Sequence, residues 1–168
     1  MKKWFLLFLA LPIFFGACKK ASTKACTYTE SALVAPAAEI AYLDSALAAD
    51  GIAAMQHPSG VFYTIDSIGT GVNPGVCSIM TTTYIGNLYD YAIPFDSYTD
   101  SAGTSLTLGS LIVGWQKVLP LINAGGKVTL YIPPSLGYGE VAKRNGDGDI
   151  IIPAHSYLKF RISLLGVF

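Results

Sequence analysis

Charged residues are scarce in this sequence, and histidine and cysteine are scarcer still. Only 13% of the 168 residues are charged, 11 basic residues balance 11 acidic ones, and there are two histidines and three cysteines. This balance excludes the basic surface that nucleic-acid binding needs, so we expect no nucleic-acid partner. With 52% hydrophobic residues, the chain is also too apolar to be intrinsically disordered.

Common catalytic and metal-binding motifs are also missing. The sequence contains no G-x-S-x-G, no H-E-x-x-H and no C-x-x-C. Asn145, Asp147 and Asp149 have the alternate spacing of a calcium loop, but Ile150 and Ser156 stand where that loop needs glycine and glutamate. We therefore predict a solvated turn there, and we expect neither a metal nor a cofactor.

The first 17 residues have the pattern of a secretory signal. Lys2 and Lys3 precede an apolar run from residue 4 to 15, which is shorter than the roughly 20 residues of a membrane-spanning helix. The sequence F-G-A-C that follows, ending at Cys18, is similar to a bacterial lipobox. We therefore predict a lipoprotein signal peptide over residues 1–17 and lipidation of Cys18. Cleaved soluble secretion and a retained membrane anchor are the alternatives.

The segment after Cys18 predicts how the protein meets the membrane. Each buried CH₂ of an attached lipid contributes about 0.8 kcal/mol, so acyl chains on Cys18 would anchor it firmly. No aspartate follows Cys18, which favours the outer membrane of a bacterial envelope, facing the periplasm. Residues 18–35 are mostly small or polar and predict a flexible tether. Cys26 and Cys77 either form a disulfide in this oxidising compartment or stay unpaired.

Residues 36–58 predict a helix followed by a linker. Ile40, Leu43 and Leu47 recur at helical spacing, and Gly51 fits the left-handed position that ends a helix. We expect the apolar stripe of this helix to pack on the domain that follows, which leaves the protein a monomer. A dimer contact through the same stripe is the alternative.

Residues 59–168 predict one domain of short strands around a single helix. The expected strands are Val61 to Ile65, Ser78 to Leu88, Thr104 to Leu108, Lys127 to Ile132 and Ser156 to Leu165. A helical pattern runs from Gly114 to Ile122, but Pro120 should end or kink it near Leu119. Many strands and one short helix predict an α+β domain with an antiparallel sheet wrapped over the helix.

Five segments of this domain follow one another in a distinctive order. They are Tyr84-Ile-Gly-Asn-Leu, Phe95-Asp96-Ser97, Leu108 to Trp115, Ile132 to Gly139 and Ile151 to Phe160. Together, over residues 60–168, they resemble the FKBP-type peptidyl-prolyl cis-trans isomerases. The resemblance implies a five- or six-stranded antiparallel half-barrel around a short helix, and an enzyme that rotates X–Pro peptide bonds.

The resemblance also implies an apolar pocket for the prolyl ring. Its substrate-binding residues would be Trp115 as the floor and Tyr84, Phe95, Leu111, Ile112 and Phe160 as the walls. Its catalytic residues would be Asp96 and Tyr138 at the polar rim, with the backbone N–H of Ile152 donating to the substrate carbonyl. The match is imperfect at Thr104, where an aromatic wall is usual, and in the long stretch 140–150.

Such a pocket is chemically sufficient for the implied reaction. The X–Pro bond rotates over a barrier of about 18–20 kcal/mol because resonance gives it partial double-bond character. Water stabilises the planar, charge-separated amide more than the twisted one, so a dry pocket removes that preference. Unfolded or folding envelope polypeptides that contain proline are the expected substrates. The alternative is a non-catalytic proline-binding or chaperone module on the same fold, which Thr104 and the long 140–150 stretch would favour.

Overall fold

The computed structural model describes residues 25–168, so the predicted signal peptide over residues 1–17 and lipidation of Cys18 lie outside the described residues. Two α-helices are described, α1 (Ala37–Ala49) and α2 (Val113–Val118). The strands are β1 (Met55–Gln56), β2 (Phe62–Ser67), β3 (Ile79–Leu88), β4 (Pro94–Tyr98), β5 (Thr104–Thr107), β6 (Lys127–Ile132), β7 (Lys143–Arg144), β8 (Ile150–Ile152) and β9 (Leu158–Val167). None of the described helices is long and apolar enough to cross a membrane.

The strands form an antiparallel sheet that confirms the predicted α+β class. Their order is β1-β2-β6-β9-β3-β4, and β5 pairs with β3 beside β4. The sheet thus has seven strands, where the sequence predicts five or six. The sequence missed β1, which is only two residues long, and β4, which begins at a proline and is mostly exposed. Neither carries the apolar alternation by which a half-buried strand is recognised. Strands β7 and β8 form a separate hairpin.

The main core lies between this sheet and α2. Trp115 and Val118 of the helix are buried against residues of β6 and β9. The helix approaches the sheet closely at Gly114, where a Cβ atom would lie 2.7 Å from side-chain atoms of Ile132. The α-helix ends at Val118 and continues as a 3₁₀ turn containing Pro120, as the sequence predicts.

Helix α1 packs on the domain, on a second and smaller cluster. Leu43 and Leu47 are 0% and 2% exposed and lie against Phe62 and Tyr131. Tyr42 also stacks on the ring of Tyr157, with 4.5 Å between centroids. Leu43 and Leu47 of the apolar stripe are therefore covered within the chain itself, while Ile40 is partly buried.

The segment before α1 is fastened to the domain along its described part. A disulfide joins Cys26 to Cys77, whose Cα atoms are 5.8 Å apart. Farther along, Lys117 Nζ donates to the carbonyl of Ser31, and Ala35 N–H donates to the carbonyl of Ser59 over 2.8 Å. The sequence predicts a flexible tether from residue 18 to 35, whereas residues 26–35 lie on the domain. Apart from the possible Cys26–Cys77 disulfide, the aperiodic sequence of this segment carries no sign of these contacts, because Ser59 and Lys117 lie far away in the chain.

Candidate active site

An open cavity of about 210 Å³ lies between α2 and the inner face of the sheet. It is lined by Tyr84, Asp96, Leu106, Ser110, Leu111, Ile112, Trp115, Tyr138 and Phe160. Pockets for drug-sized ligands measure roughly 300–1,000 Å³, so this one has room for a ring and its amide bond rather than for a large molecule.

The interior of the cavity is aromatic. Trp115 meets Phe160 edge to face, with 5.3 Å between ring centroids, and Tyr84 meets Trp115 in the same way over 5.5 Å. Phe95 packs on the edge of Phe160 at 5.6 Å. Edge-to-face pairs contribute about 0.5–1.5 kcal/mol beyond the burial of their surface, so these rings hold one another in fixed orientations.

The rim of the cavity is polar and is organised by one carboxylate. The Tyr84 hydroxyl donates a hydrogen bond to Asp96 Oδ2 over 2.8 Å. Burial, and then the hydrogen bond and charge of Asp96, raise the pKa of Tyr84 to about 12. Burial, followed by the charge of Asp96, also raises the pKa of Tyr138. Both phenols are therefore protonated at neutral pH and can donate hydrogen bonds.

A cation lies next to Tyr138, one of the rim residues. The ammonium group of Lys143 lies 5.1 Å from the ring centroid of Tyr138, within the range of a cation–π contact. Lys143 belongs to the β7–β8 hairpin, which the sequence identifies only as a long turn-rich stretch. The rim thus combines a carboxylate and two neutral phenols around an apolar interior, and an ammonium group that is not itself part of the lining contacts one of the phenols.

The structure brings together most of the residues that the sequence predicts for the site. The residues that line the cavity are Tyr84, Asp96, Leu111, Ile112, Trp115, Tyr138 and Phe160. Phe95 is not among the lining residues, and its ring packs edge to face on Phe160. The side chain of Ile152 is not among the lining groups and belongs to the core, whereas the predicted donor is its backbone N–H.

Two lining residues were missed by the sequence reasoning, Leu106 and Ser110. Leu106 lies on β5, two residues beyond Thr104, which does not line the cavity. Because residues two apart in a strand share a face, Leu106 lies on the same face of β5 as Thr104. This alternation was the signal by which the sequence could have predicted Leu106. Ser110 ends a 3₁₀ turn and carried no signal, since its position depends on how that turn packs.

A second groove, of about 490 Å³, lies near the end of α1 and the β3–β4 hairpin. Its lining is mainly polar or charged and consists of Asp50, Asn87, Tyr89, Asp90, Tyr91, Ala92, Lys159 and Arg161. Although larger, it lacks an apolar interior, so it offers nothing to desolvate a peptide bond. Within residues 25–168, no three side chains of His, Cys, Asp or Glu gather as metal ligands.

Comparison with known proteins identifies the class to which this fold and cavity belong. Residues 73–165 match the family model of the FKBP-type peptidyl-prolyl cis-trans isomerases. This match covers more than half of the chain, and the chain belongs to that family.

Individual relatives agree with this assignment. The isomerase FkpA of Buchnera aphidicola subsp. Schizaphis graminum is 38% identical over 110 residues, covering 65% of this chain and 41% of the relative. The outer membrane protein MIP of Legionella longbeachae is 37% identical over 112 residues, covering 66% and 45%. The crystal structure of FkpA from Escherichia coli superposes with a TM-score of 0.62 at 32% identity, covering 78% of this chain and 58% of that one. The chain thus spans less than half the length of these two curated relatives.

Proposed function

We propose that this protein is a peptidyl-prolyl cis-trans isomerase that assists the folding of exported proteins in a bacterial envelope. One observation carries the proposal: an open aromatic cavity, lined by Trp115, with the Asp96 carboxylate accepting a hydrogen bond from Tyr84 at its rim. Membership of the isomerase family supports the same activity.

The cavity is suited to lowering the barrier by removing water from the prolyl amide. In the planar amide, resonance places negative charge on the carbonyl oxygen, and water stabilises that charge. Twisting about the C–N bond removes it, so an apolar surrounding favours the twisted transition state relative to the planar ground state. Each 1.36 kcal/mol taken off the barrier of about 18–20 kcal/mol increases the rate tenfold. This chemistry asks for no nucleophile and no cofactor.

The rim residues add an electrostatic contribution to this effect. A carboxylate at Asp96 repels the negative carbonyl oxygen of a planar amide more than the nearly neutral oxygen of a twisted one. We propose that Tyr138, whose phenol is neutral at pH 7, orients the substrate by donating a hydrogen bond. The role of the Ile152 N–H as a donor to the substrate carbonyl is part of the same proposal. Walls at Leu111, Ile112 and Phe160 would hold the prolyl ring over Trp115.

We also propose that lipid on Cys18 anchors the protein to the periplasmic face of the outer membrane. The apolar run before Cys18 and the absence of aspartate after it support this location. The relative named as an outer membrane protein, MIP of Legionella longbeachae, is consistent with an envelope protein. In this place the enzyme would act as a monomer on proline-containing chains that have been exported unfolded, since uncatalysed isomerisation takes tens to hundreds of seconds.

A protease-coupled assay on the peptide Ala-Leu-Pro-Phe tests the activity. We expect the full chain to accelerate isomerisation and Asp96→Ala to lower kcat/KM at least tenfold, because charged hydrogen-bonding groups contribute about 1.5–3 kcal/mol. Asp44→Ala is the matched control, since it removes an exposed carboxylate from α1. Its kcat/KM should equal that of the wild type.

Other results would overturn the proposal. Equal rates for the wild type and Asp96→Ala would remove the rim carboxylate from the mechanism. Peptide binding without any turnover would instead identify the domain as a proline-binding module.

A further inference from the structure

We propose that Tyr28, fastened by the Cys26–Cys77 disulfide, is a positioning residue for the cavity wall formed by residues 108–112. This inference rests on the proposed function, because the wall is the part of the cavity that would hold the prolyl ring. It concerns a segment outside residues 73–165, which are the part of the chain that matches the family model.

The contact between Tyr28 and the wall is made at Gly109. A Cβ atom placed on Gly109 would lie 2.5 Å from Tyr28 Cβ and 2.8 Å from Tyr28 Cδ1, and closer still to Cγ. Tyr28 therefore lies directly on the backbone of Gly109, where only a hydrogen atom fits. The next residues along the chain, Ser110, Leu111 and Ile112, line the cavity.

The disulfide keeps Tyr28 in this place through a short chain of backbone contacts. Gly109 N–H donates to the carbonyl of Val76 over 2.8 Å, and Leu108 N–H donates to the carbonyl of Ser78 over 3.1 Å. Cys77 lies between these two acceptors and is bonded to Cys26, two residues before Tyr28. The disulfide thus holds Tyr28 next to residues 76–78, whose carbonyl groups bind the wall.

Helix α2 also contacts both the wall and the N-terminal segment. Gln116 Nε2 donates to the carbonyl of Leu111 over 2.7 Å. Lys117, the next residue, donates to the carbonyl of Ser31. The wall is therefore contacted by α2 at Leu111 and by Tyr28 at Gly109. Removing the Tyr28 side chain removes the second of these contacts. Tyr28 is 43% exposed, so more than half of its surface is covered in the folded chain.

The crowding at Gly109 permits a double-substitution test on the full chain. We expect Gly109→Ala alone to destabilise the protein and raise the KM for Ala-Leu-Pro-Phe about tenfold, because the new methyl group collides with Tyr28. In the Tyr28→Gly background the same substitution should change KM by less than about twofold, since both the ring and the Cβ atom that collide with the new methyl group are gone. Equal effects of Gly109→Ala in both backgrounds would overturn the contact.

A second set of variants separates positioning from general stability. Tyr28→Ala, and separately the Cys26→Ser/Cys77→Ser pair, should raise KM about threefold to tenfold with little change in kcat. Amide exchange should accelerate at residues 109–111, while the amides of β6 and β9 keep their protection. Tyr28→Phe should behave as wild type because the contact is made by the ring. Tyr42→Ala is the matched control, a half-exposed tyrosine on α1, and should leave KM unchanged.

The outcomes distinguish this inference from the function on which it rests. If the wild type neither binds nor turns over proline peptides, the proposed function fails. Amide exchange at residues 109–111 and the thermal stability of the double-substitution set still decide the role of Tyr28. Unchanged exchange at residues 109–111 in Tyr28→Ala would overturn the inference, whatever the activity of the protein.

Discussion

Tyr84 and Asp96 lie on the same face of the paired strands β3 and β4, and the Tyr84 hydroxyl donates to Asp96 Oδ2 over 2.8 Å. The residue directly opposite Asp96 is Gly86, so the two polar groups are diagonal neighbours rather than a direct pair. Because Gly86 has no side chain, the ring of Phe160 can occupy the space between the strands and the cavity. The register of β3 with β4 therefore positions the polar rim, and the register of β3 with β9 places Gly86 opposite Phe160 of the aromatic interior.

Replacing Tyr84 with Phe should weaken catalysis by removing the donor that holds Asp96. We expect kcat/KM for Ala-Leu-Pro-Phe to fall about tenfold, the low end for hydrogen bonds to charged groups, because Asp96 is exposed to water. The protease-coupled assay measures this change. Tyr98→Phe removes a hydroxyl two residues beyond Asp96 on β4 and should be without effect. Equal kcat/KM for Tyr84→Phe and wild type would show that the carboxylate needs no support.

The stability of the protein should depend on Tyr84 at high pH. The pKa of Tyr84 is about 12 in the folded chain against 10.0 for a free tyrosine, so folding favours the neutral phenol. The stabilising contribution is complete below pH 10 and is lost as the pH rises from 10 towards 12. Denaturant titrations from pH 8 to 11 should show the wild type losing stability relative to Tyr84→Phe above about pH 10. A constant difference across this range would contradict the raised pKa.

Adding a methyl group at Gly86 should disturb the aromatic interior. A Cβ atom there would lie 2.5 Å from Phe160 Cε1 and 3.0 Å from Phe95 Cζ, so both rings must shift. We expect Gly86→Ala to lower the free energy of unfolding by about 1–3 kcal/mol and to reduce turnover. Gly146→Ala is the control, because nothing lies within 4 Å of a Cβ there. If both variants unfold at the same denaturant concentration, the aromatic packing is looser than described.

Replacing Thr82 with Val should stabilise the protein. Thr82 is 0% exposed, and among residues 25–168 its Oγ1 atom has no hydrogen-bond partner. A buried hydroxyl without a partner costs about 1–3 kcal/mol, and valine has the same shape without that group. We therefore expect the free energy of unfolding to rise by about 1 kcal/mol, as measured by denaturant titration. Thr83→Val, at a half-buried position, is the control; a loss of stability at Thr82→Val would indicate a partner for the hydroxyl.

Much of the site was predictable because its residues stand in short, ordered segments. Trp115, Asp96 and Tyr138 line the cavity as the sequence predicts. Phe95 was expected there too, yet it packs edge to face on Phe160 and is not among the lining residues. A motif identifies which segments surround a pocket. Which of their side chains line it, and which pack on the lining residues instead, depends on how the strands pack.

By itself, the sequence determined the α+β class, the stripe of α1 and the end of α2 just before Pro120. Each of these depends on the conformational preference or periodicity of neighbouring residues, which a linear pattern contains. Only the tertiary structure decided that Cys26 reaches Cys77, 51 positions away, and that Tyr28 lies on Gly109. Such contacts form where distant segments meet after the sheet has assembled, so no local pattern of residues encodes them.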